Sequence, residues 1–249
     1  MTESDWPYTG EPRHRVTRPI MTQSGQSLAY LHWPYDPAEV QALLPPELTV
    51  DTFGGAAWVG LVPFEMVGIT AWRTPPIPYF GTFPETNVRT YVRGAAGPGV
   101  WFHSLDINRL VPVLIAQATY RLPYLWGEMS IRREPNRIRY RARRRWPGPR
   151  PAASAVTIDY GGRIEQPTDF DHFLSARWGL YTLLGKRLAY ARVEHEPWPL
   201  HTAAATHLED DFVAAAGYRR PVDPPHVLYS PGVSVRIERP RYVPALGAP

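Results

Sequence analysis

The residues with the clearest chemical potential lie on one predicted strand, 86–93, together with Glu85 just before it. Side chains alternate between the two faces of a strand, so one face is polar and the other is formed by threonine and valine. The polar face carries Glu85, Asn87, Arg89, Tyr91 and Arg93. Two interpretations stay open. Either this face is solvated above an apolar core, or it points into a cavity where Arg89 holds an anionic group, oriented by Asn87 and Tyr91.

The next predicted strand, 99–104, contains a histidine and a serine that could suggest a hydrolase. A serine nucleophile usually sits on a sharp Gly-x-Ser-x-Gly turn, which is absent here. His103 and Ser104 are sequence neighbours, so they point to opposite faces of a strand. We therefore predict no catalytic triad. His103 and Glu85 are instead candidates for proton transfer in a pocket, and Asp106 is predicted to cap a helix that extends to residue 119.

Lysine chemistry is restricted to one position, because Lys186 is the only lysine among the 27 basic residues. It follows Gly185 between two predicted elements, which indicates an exposed turn. A solvated ammonium group is largely protonated at neutral pH and is a weak nucleophile. We therefore do not expect Lys186 to form a Schiff base.

Two further patterns are compatible with a site but are predicted to be structural. His195, His201 and His207 recur every six residues, yet Pro197 and Pro199 prevent a metal-binding helix. We predict no metal site there, and instead a rigid corner after His195 with a tryptophan packed inward.

Residues 132–150 contain nine arginines, several at alternating positions. They could bind a polyanion or form a solvated face balanced by acids elsewhere, and we do not expect nucleic-acid binding because no known motif accompanies them.

Composition narrows the class of protein. The chain has 249 residues, of which 44% are hydrophobic and 20% charged, and its net charge is +4. This predicts a folded domain. Cysteine is absent, which excludes disulfides and thiolate chemistry. No segment is typical of a signal peptide or a membrane span, so we expect a soluble, cytoplasmic protein without a membrane partner.

The order of elements predicts an α+β fold that is mainly antiparallel β. About ten strands and three short helices follow one another without regular alternation, which argues against a doubly wound parallel sheet. A curved sheet or closed barrel with peripheral helices is favoured. We predict a flexible N-terminal arm over residues 1–14, a single domain over 15–240 and a loose tail over 241–249.

Five short segments together resemble the YqjF-like family of uncharacterised bacterial proteins. The resemblance runs in order from about residue 15 to about residue 240 and is specific only in combination. The segments are Leu44-Pro-Pro-Glu-Leu48, Glu85-Thr-Asn-Val-Arg-Thr-Tyr91, Phe102-His-Ser-Leu-Asp106, Leu122-Pro-Tyr124 and His195-Glu-Pro-Trp-Pro-Leu200.

That family is related to acetoacetate decarboxylase, and the resemblance implies an acetoacetate-decarboxylase-like β-barrel or cone with a central cavity. The decarboxylase uses two adjacent lysines, and its pair falls on Tyr120-Arg121 here. Arginine does not lose its proton in proteins, so that chemistry is not expected. The resemblance adds Tyr120, Arg121 and Tyr124 to the expected ligand-binding residues.

Two functions stay open on these grounds. The chain is either an enzyme that acts on a small carboxylate or keto compound by acid–base chemistry without a Schiff-base lysine, or a non-catalytic ligand-binding or sensor module. Both need a small-molecule ligand, expected to be anionic, and neither needs a cofactor. The sequence leaves homo-oligomerisation open.

Overall fold

The structure is a computed structural model, and it describes residues 10–12, 14–71, 81–109, 123–148 and 152–244. Within these residues the chain forms fourteen strands and three short helices. The strands are β1 (Pro19–Tyr35), β2 (Thr49–Val50), β3 (Thr52–Phe53), β4 (Ala56–Ala71), β5 (Phe83–Gly94), β6 (Gly97–Ile107), β7 (Tyr124–Glu134), β8 (Arg137–Trp146), β9 (Ala153–Arg163), β10 (Gly179–Leu184), β11 (Arg187–His195), β12 (His201–Asp210), β13 (His226–Glu238) and β14 (Arg241–Tyr242). The helices are α1 (Pro37–Gln41), α2 (Asp169–Ser175) and α3 (Phe212–Ala215).

Local signals account for several of these elements. The Asp36 carboxylate accepts the Ala38 backbone N–H at 2.7 Å, and Pro37 opens α1; these residue types are preferred at an N-cap and at the first helical position. The β7–β8 hairpin turns at Asn136, which has a φ of 58°. Thr168 and Asp171 form a capping box at the start of α2. None of the described helices has the length and apolar character required to cross a bilayer.

The hydrogen-bonded strands close two rings that share one wall. The first ring has nine strands, in the order β6-β7-β8-β9-β12-β13-β1-β4-β5. The second is closed by β10, which pairs with β6, and by β11, which pairs with β13. The shared wall is therefore β13-β1-β4-β5-β6. This architecture confirms the predicted mainly antiparallel barrel with a few short helices.

Each face of the shared wall packs against a different core. One face of β1, β4 and β5 contributes Leu31, Val59 and Val88 to a cluster that includes Ile138 and Ile158 from β8 and β9 across the nine-strand ring. This cluster fills the first ring. The other face of the same strands therefore points away from it, towards α2, β10 and β11. Most of the polar residues predicted on β5 lie on that second face.

Asp106 is not a helix cap, which corrects the sequence prediction. It lies in β6, and its carboxylate accepts two hydrogen bonds of 2.8 Å from the Arg144 guanidinium. Both side chains are buried, and Arg144 also lies over the Phe212 ring. The role of Asp106 is therefore set by an ion pair with a residue distant in sequence, and not by the local pattern that predicts a helix cap. Most of the predicted helix after Asp106 lies outside the described residues.

Other boundaries also differ from the sequence prediction. The sequence also predicts separate strands at 226–230 and 233–238, but these residues form one strand, β13, in which Gly232 has a φ of 128°. Two residues of the predicted tail, Arg241 and Tyr242, pair with β11 as β14. At the other end of the chain, Gly10 lies against the His172 ring of α2.

Candidate ligand-binding site

The polar face of β5 is buried. Glu85, Asn87 and Tyr91 are each less than 5% exposed, and Arg89 is half-buried. The interpretation of this face as a solvated surface is therefore wrong for these four residues. They lie on the second face of the shared wall, where α2 contacts Arg89 and Tyr91.

Glu85 is a buried carboxyl group whose pKa is strongly shifted. Burial, with a smaller contribution from the negative charge of Asp106, raises the pKa of the Glu85 carboxyl to about 8. A hydrogen bond from the Asn87 amide opposes that shift. Tyr124, at the start of β7, lies near enough for the Glu85 charge to raise its phenol pKa beyond the effect of burial. Glu85 is therefore largely protonated at pH 7 and titrates close to neutrality.

Arg89 is held at the end of α2. Its Nη2 donates to the Leu174 carbonyl at 3.0 Å, and the Tyr91 hydroxyl donates to the same oxygen. Helix-terminal carbonyls lack intrahelical partners and carry partial negative charge, so a guanidinium group is favourable there. The Arg89 guanidinium carbon also lies 5.3 Å from the Tyr30 ring centroid. These contacts fix the cation in place while its Nε stays without a protein partner among the described residues.

Two histidines lie near enough to Arg89 to feel its charge. His32 of β1 is fully buried, and its Nε2 lies 2.7 Å from the Tyr91 hydroxyl. A Cβ at Gly60 on the neighbouring strand would overlap that Nε2, so glycine makes room for the ring. His195 of β11 stacks on Trp178 at 4.3 Å. Burial, together with the charge of Arg89, lowers the pKa of both imidazoles, that of His195 to about 4.

Buried polar atoms without a protein partner are concentrated on this face. Each would normally be hydrogen-bonded, since an unsatisfied buried donor or acceptor costs about 1–3 kcal/mol. The atoms near Arg89 therefore make this face the candidate binding site, since solvent or a polar ligand would satisfy them. Among the described residues they are Tyr30 Oη, His32 Nδ1, Glu85 Oε2, Asn87 Oδ1, Arg89 Nε and Trp198 Nε1.

The structure does not bring together all of the predicted site residues. His103 donates to or accepts from the Tyr218 hydroxyl at 2.7 Å, and Tyr218 belongs to the core of the nine-strand ring. His103 is the extra residue of a bulge opposite Val88 and Arg89, and burial lowers its pKa to about 4. Arg93 binds Asp51 at 2.7 Å. Tyr120 and Arg121 lie outside the described residues.

Sequence reasoning missed three residues next to Arg89. Tyr30 and His32 alternate with Ala29, Leu31 and Trp33 along β1, so a strand with two buried faces was the available signal. The third is His195, which the sequence places only at a rigid corner. Trp198 does pack inward as predicted, 6.0 Å from Tyr30 and 5.0 Å from His195 between ring centroids.

The remaining candidates have ordinary structural environments. Lys186 is exposed in the turn between β10 and β11, as predicted. The outward arginines of the β7–β8 hairpin include Arg137, paired with Asp159, and Arg139, paired with Glu134, which fits a solvated face balanced by acids. The described residues contain no cluster of metal-ligating side chains.

An open cavity of about 1300 Å³ lies elsewhere on the protein. It is formed by β7, β8, β9 and β12 together with residues 220–225, and it includes none of the polar residues on β5. Its wall mixes both signs of charge, with Arg141 and Arg143 beside Glu209 and Asp210. Size alone does not make it the better candidate, because the polar atoms without partners around Arg89 lie elsewhere.

Comparison with known sequences gives one family and one curated relative. The DUF2071 family, described as an uncharacterized conserved protein, matches residues 22–234. The uncharacterized protein YqjF of Bacillus subtilis (strain 168) is 31% identical over 211 residues, which cover 85% of this chain and 87% of that protein.

Solved structures share the fold at low sequence identity. The enduracididine biosynthesis enzyme MppR complexed with pyruvate has a TM-score of 0.63 and 15% identity, and the match covers 92% of each chain. Acetoacetate decarboxylase from Legionella pneumophila has a TM-score of 0.62 and 14% identity, with 97% of this chain and 94% of that chain covered. At such identities the similarity establishes the fold alone, and it confirms the predicted acetoacetate-decarboxylase-like fold.

Proposed function

Since the chain belongs to the DUF2071 family, whose description names no activity, we propose a function from its own residues: it binds a small carboxylate or keto compound at Arg89 and transfers a proton through Glu85. Asn87 and Tyr124 orient the ligand directly, and Tyr91 orients it by holding Arg89 in place. No Schiff-base lysine takes part, because Lys186 is the only lysine and lies in an exposed turn.

The observation that carries this proposal is the group of buried polar atoms without protein partners around Arg89. A carboxylate has two oxygens that accept N–H donors from a guanidinium group in a fixed geometry. The Arg89 charge is already positioned by Leu174 and Tyr91, so little side-chain freedom would be lost on binding. The structural neighbour MppR is complexed with pyruvate, a small keto acid of the class proposed for this chain.

Glu85 distinguishes an enzyme from a passive binding module. A general acid or base is most effective when its pKa lies near the working pH. Burial brings the pKa of Glu85 to about 8, whereas a carboxyl group in water titrates near 4.3. A non-catalytic ligand-binding or sensor module would need Arg89 but would have no use for this shifted carboxyl. The shift therefore favours acid–base chemistry.

We expect Arg89→Met to weaken pyruvate binding at least tenfold in isothermal titration, because it removes the only cation assigned to the carboxylate. Arg89→Lys keeps the charge without the paired donors and should fall between the wild type and Arg89→Met. The exposed Arg141 provides the matched control, and Arg141→Met should bind as the wild type does. Unchanged affinity in a folded Arg89→Met variant would reject the proposed carboxylate site.

The catalytic part is tested on the same samples by NMR in D₂O. Proton transfer predicts that the wild type accelerates exchange of the pyruvate methyl protons for deuterium, and that Glu85→Gln binds pyruvate without accelerating exchange. Binding without any acceleration by the wild type would support the non-catalytic alternative.

A further inference from the structure

His195 is restricted to one tautomer. Its Nδ1 lies 2.6 Å from the Glu196 carbonyl oxygen, which can only accept, so Nδ1 carries the hydrogen and donates. The ring is neutral at pH 7 because burial, together with the Arg89 charge, lowers its pKa to about 4. Trp178 and Trp198 pack against the ring with centroids at 4.3 and 5.0 Å. Nε2 is therefore left with a lone pair at the edge of the imidazole.

His32 is restricted to the opposite tautomer. The single Tyr91 hydroxyl hydrogen goes to the Leu174 carbonyl, so the Tyr91 oxygen must accept from His32 Nε2–H. This leaves a lone pair on His32 Nδ1, which is buried and has no partner among the described residues. Two imidazoles near Arg89 thus offer acceptors and no free N–H.

Asn87 contributes a third acceptor. Its amide N–H donates to the Glu85 carboxyl, while its Oδ1 has no partner among the described residues. A carboxylate ligand satisfies the Arg89 donors but has no hydrogen to give to these acceptors. The unpartnered donors on the same face, Tyr30 Oη–H and Trp198 Nε1–H, can bond to ligand oxygens, but the acceptors need a hydrogen. A ligand matched to this face therefore carries a hydrogen-bond donor beside its carboxylate.

Resting on the proposed function, we propose that His195 Nε2 accepts a hydrogen bond from a ligand hydroxyl, so that the site selects small hydroxy carboxylates over keto acids and unsubstituted carboxylates. An ammonium donor fits poorly beside the Arg89 cation. The nearby aspartates do not compensate for it, since Asp51 is paired with Arg93 and Arg177, and Asp106 with Arg144.

Three probes of equal carbon number separate the possibilities: propionate, pyruvate and lactate, titrated at pH 7 and followed by ligand-observed NMR. They differ only in carrying no oxygen, a carbonyl or a hydroxyl at the second carbon. We expect one lactate enantiomer to bind about tenfold more tightly than propionate or pyruvate, the factor that a net hydrogen bond of about 1.4 kcal/mol provides. Equal binding of the three would overturn the hydroxyl proposal while leaving the carboxylate site intact. Failure of all three to bind would overturn the proposed function itself.

Two substitutions at His195 test the roles of its two ring nitrogens separately. In His195→Asn, the side-chain amide can still donate to the Glu196 carbonyl as Nδ1 does, but no atom remains at the position of Nε2. In His195→Gln, the longer side chain places its amide near the position of Nε2 and loses the hydrogen bond to Glu196. His195→Asn should abolish the preference for lactate and leave propionate affinity within about twofold of the wild type, while His195→Gln should keep part of the preference. If His195 only anchors the following segment, the order reverses, because His195→Gln then loses the structural bond. A lactate preference retained in His195→Asn would reject the assignment.

Discussion

Glu85→Gln is expected to remove a pH-dependent loss of stability that the wild type shows between about pH 4.5 and pH 8. Burial raises the pKa of Glu85 to about 8 in the folded protein, above its value in an unfolded chain. The folded state therefore keeps a proton that the unfolded state releases across this window. The resulting stabilisation is complete below the unfolded pKa and is lost as the pH rises, at about 1.4 kcal/mol per pH unit, until the folded pKa is passed.

Urea denaturation at unit steps from pH 5 to pH 9 measures this effect as a difference between variants. The free energy of unfolding of the wild type should fall relative to that of Glu85→Gln up to about pH 8 and run parallel to it above. Glu47 is exposed, so Glu47→Gln is the matched control and should follow the wild type. Parallel curves for the wild type and Glu85→Gln over the whole range would mean that Glu85 is not a buried neutral acid.

Asp106→Ala is expected to destabilise the fold by about 3–5 kcal/mol, because it leaves Arg144 buried without its counterion. Asp106 and Arg144 are 0% and 3% exposed, and two hydrogen bonds of 2.8 Å join them. The ion pair connects β6 to β8 inside the nine-strand ring. Asp106 lies where β6 pairs with β7, opposite Leu125. The free energy of unfolding from urea denaturation measures the loss.

The double variant Asp106→Leu, Arg144→Met provides the control. Removing both charges together removes the desolvation cost of each, so the double variant should be close to the wild type in stability. A double variant as unstable as Asp106→Ala would show that the loss comes from packing and not from the unpaired arginine.

Local patterns in the sequence predict the strands and most of the residues on the polar face of β5. Alternation along residues 85–91 is sufficient to group Glu85, Asn87, Arg89 and Tyr91, and the structure keeps them on one face. Whether that face is solvated cannot be predicted from β5 itself. The answer depends on β10, β11 and α2, which are distant in sequence and close the second ring over it.

The errors have the same origin. Asp106 follows the local rule for a helix cap, but Arg144 is 38 residues away and decides its role. His103 precedes Ser104 in a strand that contains a bulge, so simple alternation fails at that point. His195 is not expected near Arg89 from the sequence, because only the pairing of β11 with β13 brings it there.

Binding of a small carboxylate by Arg89 on the second face of the shared wall is the central claim. A crystal structure of the protein soaked with lactate or pyruvate tests it most directly. We expect carboxylate oxygens at about 3 Å from the Arg89 guanidinium nitrogens, with the rest of the ligand between Glu85 and His195. Ordered water alone around Arg89, with the carboxylate bound in the open cavity beside Arg141 and Arg143, would contradict it.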